Sequence, residues 1–301
     1  MNGVVIIDKP PGLTSHDVVN RVRRILGQRA VGHLGTLDPL ATGVLPIVLG
    51  NLTRLAQFYA HSEKTYEGVI RFGFATDTYD ADGEPTTPPQ DVRMNYDAVR
   101  ALAAQFQGVI EQMPPPFSAK KIAGVPAYKL ARKKQQVELK PVQVEIKEFE
   151  ILDTTRGQTK DQATFRARVA SGTYIRSVAH EMGQKLGCGA HLASLQRTAV
   201  AEFTIEDAHS LQALEAAMQQ GSVESFALTM LVHPRKLLPQ LPSVTASEES
   251  AALIRSGRAV NLPEMSRAPQ VKVFYGQHDL IAIATRIAGT LFHPGIVFSA
   301  S

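Results

Sequence analysis

The sequence predicts an α+β fold in which helices and strands interleave, followed by a small β-rich C-terminal unit. Three observations lead there. Hydrophobic residues fill 44% of 301 positions and charged residues 20%, enough apolar material for a packed core. Short apolar runs bounded by Gly and Pro alternate with segments of helical spacing. Finally, Leu238-Pro239-Gln240-Leu241-Pro242 interrupts the pattern, and strand-like runs dominate after it.

Val4-Val5-Ile6-Ile7 stops at Asp8-Lys9-Pro10-Pro11-Gly12, which reads as a buried strand and a turn. Thr14 or Ser15 can cap the next helix, with Asp17 completing a capping-box pattern with Thr14. Val18, Val19, Val22, Ile25 and Leu26 follow at helical spacing, Asn20, Arg21 and Arg24 take the other face, and Gly27 ends the helix. Residues 32–43 (GHLGTLDPLATG) read as a loop, VLPIVLG as a buried segment, and 66–74 as a strand. An acidic Pro-rich loop spans 76–90. Residues 96–106 form a helix with Tyr96, Val99, Leu102, Ala103 and Phe106 on one face. Residues 113–118 (MPPPFS) break structure. Strands are expected over 142–152 and 162–170, and helices over 177–186 and 207–219. Past the Pro-rich break come a helix at 247–256, then VKVFY, DLIAIAT and a last strand around 290–298. The expected division is a domain of residues 1–240 and a second of 241–301.

Several functions are excluded. No apolar run reaches the roughly 20 residues that span a bilayer. The start lacks a basic segment before its apolar run and does not read as a signal peptide. A single cysteine, Cys188, leaves no intramolecular disulfide and no Cys-based zinc site, which points to a reducing cytoplasm. The phosphate-loop, dinucleotide and H-E-x-x-H motifs are absent. Thr78–Gly83 imitates part of a calcium loop, but Thr78 and Pro89 occupy ligand positions they cannot serve. Nine histidines lack metal-ligand spacing, so no metal is expected.

The net charge is +4 and the pI about 9.1. Seven cations (Lys120, Lys121, Lys129, Arg132, Lys133, Lys134 and Lys140) face one acid, Glu138, in a short stretch. A second cluster is Arg21, Arg23, Arg24 and Arg29. Each alone reads as a solvated face; the two together point to a phosphate-backbone footprint.

Three residues stand out chemically. Asp38 precedes a proline, which holds it extended or in a turn, between glycines that permit close approach and beside apolar Leu37, Leu40 and Val44. Arg176, between a strand and a helix, has the planar fork to pair with a buried carboxylate. Tyr66 opens a strand. Their plainer readings are a turn aspartate, a surface arginine at a helix start and a half-buried strand aromatic.

Six blocks in order carry a resemblance: DKPPGLTSHDVV (8–19), VGHLGTLDPLATGVLP (31–46), KTYEGVIRFGFATDTYDADG (64–83), QMPPPFSAKKIAGVPAYKLAR (112–132), SGTYIRSVAHEMGQKLGCGAHLASLQRTAVAEF (171–203) and LLP (237–239). The chain resembles the bacterial TruB-type pseudouridine synthases, which modify uridine 55 in the tRNA T loop. The resemblance implies a pseudouridine-synthase fold, with a mixed, largely antiparallel sheet and flanking helices. It also implies a basic thumb-like insertion at about 113–140 and a C-terminal PUA-like RNA-binding barrel. It places Asp38 on the catalytic aspartate, Arg176 on its arginine partner and Tyr66 on the tyrosine that stacks on the target base. His33 falls on the histidine that takes the place of the flipped uridine, and Tyr174 and Leu195 on the uridine pocket. Lys9 and Pro10 match a pair near the active site, and Asp80 an acidic residue of the adjoining polar network. Leu34 departs from the small or polar residue found in many members. The family uses neither metal nor organic cofactor, so the implied partner is tRNA alone, met by a monomer without guide RNA or membrane. Two alternatives stand beside this: a guide-RNA-dependent synthase sharing the Asp loop, against which the full 112–132 segment argues, and a non-enzymatic RNA-binding or RNA-chaperone module, which would not need Asp38.

Overall fold

The first strand, β1 (Gly3–Lys9), carries an unbroken apolar run at Val4–Ile7 because both of its faces are covered there: Val5 and Ile7 enter one core, Val4 and Ile6 another. The structure is a computed structural model that describes residues 1–93, 95–117, 121–122, 125–126, 140–152 and 161–298. Helix α1 (Ser15–Leu26) starts where Thr14 Oγ1 accepts the Asp17 amide at 3.1 Å and Asp17 accepts the Thr14 amide at 2.9 Å. It ends at Gly27, whose φ of 58° suits glycine. Its Val18, Val19 and Val22 stripe is buried.

The chain continues through β2 (Val31–His33), β3 (Thr42–Leu49), α2 (Ala56–Tyr59), β4 (Lys64–Phe72), α3 (Tyr96–Ala104) and β5 (Gly108–Gln112). A ribbon of β6 (Lys121–Ile122) and β7 (Val125–Pro126) precedes β8 (Val142–Ile151), β9 (Gln162–Val169), α4 (Ile175–Lys185) and β10 (Ala190–Val200). Next come β11 (Phe203–Thr204), α5 (Leu211–Gln220) and α6 (Val223–Met230). Last are β12 (Ser243–Thr245), α7 (Glu248–Arg255), β13 (Val260–Asn261), β14 (Gln270–Tyr275), β15 (Asp279–Ala288) and β16 (Leu291–Val297).

The main sheet has the order β1-β3-β10-β4-β9-β8-β5, with β2 beside β3 and β11 beside β10. Its pairs are antiparallel except β3 with β10, which meet in parallel through Thr42 and Gly43 against Gln196 and Arg197. The expected α+β class with a mixed, largely antiparallel sheet is therefore what the chain adopts. The second sheet runs β12-β14-β15-β16-β13. Phe274, Leu280, Ile283, Ile296 and Phe298 pack against Val4, Ile6, Val44 and Val48, with Leu237 and Leu238 in the same core. Val271, Val273, Ile281 and Phe292 form a separate core with Ile254 of α7. No helix among the described residues is long and apolar enough to cross a membrane.

Besides β5 and α6, which were not expected, two elements differ for reasons visible in the fold. The central strand β10 is not evident in the sequence pattern, because its buried arginine breaks the apolar alternation and two bulges, at Leu192/Ser194 and Arg197/Ala199, shift its register. The helix expected over 207–219 starts instead at Leu211. Residues before it are drawn out along β1: His209 N–H donates to Ile6 O at 2.8 Å, and Asp8 N–H to His209 O at 2.9 Å. Ser210 then caps the helix, its Oγ accepting the Ala213 amide at 3.0 Å.

Candidate active site

The loop around Asp38 has few repeating backbone bonds of its own and is held from outside. Ser15, the first residue of α1, accepts the Leu37 amide at 2.8 Å and donates to Leu37 O at 3.1 Å. Pro39 O receives the Gly12 amide at 2.9 Å and Lys9 Nζ at 3.2 Å. The same ammonium donates to Pro10 O and Leu13 O, at 2.9 and 2.7 Å, so Lys9 ties the β1 turn to the Asp loop. Burial lowers the Lys9 pKa to about 8, against the pull of Asp38. On the far side, Arg197 donates to Gly35 O, Thr36 O and Val44 O. Gly43, at φ 95°, must be glycine: a β-carbon there would lie 2.3 Å from Arg197 O.

So anchored, the loop presents Asp38 to a cavity of about 200 Å³ whose walls include Tyr66, Thr173, Tyr174, Arg176 and Leu195. Arg176, in the first turn of α4, is buried, which removes its reading as a surface arginine. Its Nε lies 2.8 Å from Asp38 Oδ2 and its Nη1 lies 3.5 Å from Asp80 Oδ2. It also donates to Thr78 O and Phe117 O, each at 3.1 Å, so the guanidinium is fixed on four sides. Buried Asp80 in turn accepts Thr78 Oγ1 at 2.5 Å and the Asp82 amide at 3.2 Å.

Asp38 sits deep in the protein, yet 40% of its side-chain surface opens on the cavity. Burial raises its pKa above the ordinary aspartate value of 3.8; Arg176 pulls it down, and Asp80 pushes it up again. Pairing with Arg176 alone suggests a depressed pKa, but desolvation outweighs it. The exposed fraction borders the cavity, so the effect is strongest when a ligand displaces water there.

The cavity thus gathers Asp38, Tyr66, Tyr174, Arg176 and Leu195 from four segments of the chain. Lys9 and Asp80 act from behind it, while Pro10 and His33 are not among its lining residues. His33 is half-buried at the end of β2, and its pKa is lowered by burial and by Arg197. Two contributors were given no role in the sequence reading, although each lies in one of the resembling blocks. Gln112 brackets the Tyr174 backbone, accepting its amide at 2.8 Å and donating to its carbonyl at 3.0 Å. Arg197 is the other. Their partners are backbone groups far away in sequence, which no local pattern reports. Among the described residues no group of three or more His, Cys, Asp and Glu could hold a metal ion.

The two basic clusters are less fully placed. Of the seven cations from Lys120 to Lys140, only Lys140 has a described side chain; most of that run lies outside the described residues. In the arginine cluster, Arg21 pairs with Glu215 at 3.0 Å and Arg23 donates to Val31 O, leaving Arg24 and Arg29 as its exposed members.

A family model for the TruB family pseudouridylate synthase N-terminal domain matches residues 23–175, and one for the tRNA pseudouridylate synthase B C-terminal domain matches residues 176–237. A tRNA pseudouridine synthase B of Solibacter usitatus (strain Ellin6076) is 45% identical over 300 residues, covering 99% of this chain and 100% of the relative. The chain belongs to the TruB family of pseudouridylate synthases. A second relative, a tRNA pseudouridine synthase B of Bacillus cereus (strain ATCC 10987 / NRS 248), is 40% identical over 286 residues, 94% of this chain and 92% of that one. Among solved structures, a Cbf5-Nop10-Gar1 complex contains a chain with a TM-score of 0.68 at 27% identity, matching 96% of this chain and 79% of that one. An H/ACA RNP bound to a substrate RNA containing 2'-deoxyuridine gives 0.71 at 24% identity, over 99% and 85%, a likeness of fold. The TruB-family chain therefore has the pseudouridine-synthase fold, and its second sheet fits a PUA-like domain.

Proposed function

We infer that this chain converts uridine 55 of the tRNA T loop to pseudouridine, acting alone, with Asp38 as the catalytic carboxylate. The observation that carries the reading is the Asp38–Arg176 ion pair at 2.8 Å on the wall of a cavity that Tyr66 and Leu195 also line. Uridine and pseudouridine differ only in which base atom bonds the ribose. The enzyme breaks a C–N bond, rotates the uracil and forms a C–C bond, with no net redox change. A carboxylate serves this as nucleophile at C1′ or as base at C2′, and either role requires it ionised. Arg176 favours that form and fixes the carboxylate's orientation.

The target base must leave its stack, at a cost of a few kcal/mol. Stacking on Tyr66, about 1–3 kcal/mol per base, offsets part of it. Tyr174 and Leu195 close the pocket, His33 fills the vacated place in the T loop, and Lys9, Pro10 and Asp80 support the loop and arginine. Residues 1–240 form the catalytic domain, and 241–301 a PUA-like RNA-binding domain. The basic run at about 113–140 grips phosphates as a thumb. The guide-RNA-dependent alternative has the fold of the H/ACA chains behind it. Against it stand full-length relatives, 45% and 40% identical, that are tRNA pseudouridine synthases B.

A minimal T-arm stem-loop is expected to be a sufficient substrate, with binding that weakens steeply between about 50 and 200 mM salt as counterion release fades. Filter binding and product analysis test this; a need for the whole tRNA or a flat salt response counts against it. The rate is also expected to depend on pH. Asp38 must be deprotonated and its pKa is raised, so acidification should cut the single-turnover rate at a higher pH than an ordinary aspartate would. A rate that stays level down to the ordinary aspartate range contradicts that.

A further inference from the structure

Arg197 belongs to none of the residues to which the resemblance assigns a role, yet it is fully buried and makes no ion pair among the described residues. A buried charge without a carboxylate is costly, and its compensation shows what it is for. Nε donates to Val44 O at 2.9 Å, Nη1 to Thr36 O at 3.1 Å and Nη2 to Gly35 O at 3.1 Å. Those carbonyls lie on both shoulders of the loop that presents Asp38. In the sheet register Arg197 stands opposite Tyr66, which lines the cavity. Two residues earlier on the same strand, Leu195 lines the cavity.

A guanidinium only donates. A hydrogen bond from it to the Tyr66 phenol oxygen would use a lone pair of that oxygen and leave the O–H to donate elsewhere. Tyr66 is among the residues that line the cavity. Lysine at this place carries the charge but lacks the planar fork that spans three carbonyls.

We propose that Arg197 is a positioning residue of the isomerisation, holding the Asp38 loop and turning the Tyr66 hydroxyl toward the reacting base. This rests on the reading of Asp38 and Tyr66 given above.

The test is single-turnover kinetics of the full chain with T-arm RNA, with rates taken per RNA-binding site so that an unfolded fraction does not enter. Arg197→Lys and Arg197→Gln are each expected to slow the step about 10²-fold, the scale of an ångström-sized misplacement. RNA affinity should stay within about threefold, since a group acting only on the chemical step leaves binding unchanged. In a Tyr66→Phe background the same Arg197→Lys change should cost less than about tenfold, because the hydroxyl that Arg197 orients is already gone. Fully additive losses, or an Arg197→Lys rate within about threefold of wild type, would reduce Arg197 to a brace and overturn the proposal. Failure of both variants to fold would do the same. Asp38→Asn keeps the two ideas apart. If that variant turns over, the reading of Asp38 fails. If it is inactive while Arg197→Lys is fully active, only the Arg197 proposal fails.

Discussion

Asp38→Asn should abolish turnover while leaving T-arm binding within about tenfold of wild type, because affinity comes mainly from backbone charges elsewhere. Asparagine has the same shape and can still fill the space beside Arg176. It is neither a nucleophile for C1′ nor a base for C2′. Arg176 also keeps Asp80 within 3.5 Å and its two carbonyl acceptors, so the guanidinium is not left without partners. Binding by electrophoretic shift and product by single-turnover assay separate the two effects. Turnover within about tenfold of wild type would remove Asp38 from the chemistry.

Tyr66→Phe is expected to lose far more than ring stacking explains. Phenylalanine keeps the face on which a base stacks and removes only the hydroxyl. Tyr66 lines the cavity and stands opposite Arg197 in the sheet. If the hydroxyl donates or transfers a proton in the transition state, its loss costs about 10²–10⁴-fold. Tyr66→Leu should lose a further 1–3 kcal/mol or so, as stacking goes too. With saturating T-arm RNA, a Phe variant within about threefold of wild type would leave Tyr66 as a stacking platform only.

The fold was legible wherever local chemistry decided it. The Thr14–Asp17 capping pair, the Gly27 stop and the doubly covered Val4–Ile7 run all act through near neighbours. Strand β10 was not, because a bulged central strand with a fully buried arginine carries no clean period. The 207–219 segment failed for another reason: pairing with β1 drew Ala208–Ser210 out of a pattern that is helical on its own.

Among the candidate site residues, Asp38, Tyr66 and Arg176 drew notice as a carboxylate between glycines and as a tyrosine and an arginine at element ends, but on local chemistry alone their plain readings stood, and the roles proposed for them came from the resemblance. Their shared cavity was not legible, since it depends on four segments meeting in the fold. The net direction of the Asp38 pKa was also hidden. Pairing with Arg176 can be guessed from residue types, whereas the burial that outweighs it is a property of the folded whole.

The central claim is tested most directly by incubating the purified chain with unmodified tRNA, adding no guide RNA, and mapping pseudouridine by chemical probing. The expected result is one new pseudouridine, at position 55 of the T loop, absent when Asp38→Asn replaces the wild type. No product, product at other positions, or product only when a guide RNA is supplied would contradict it.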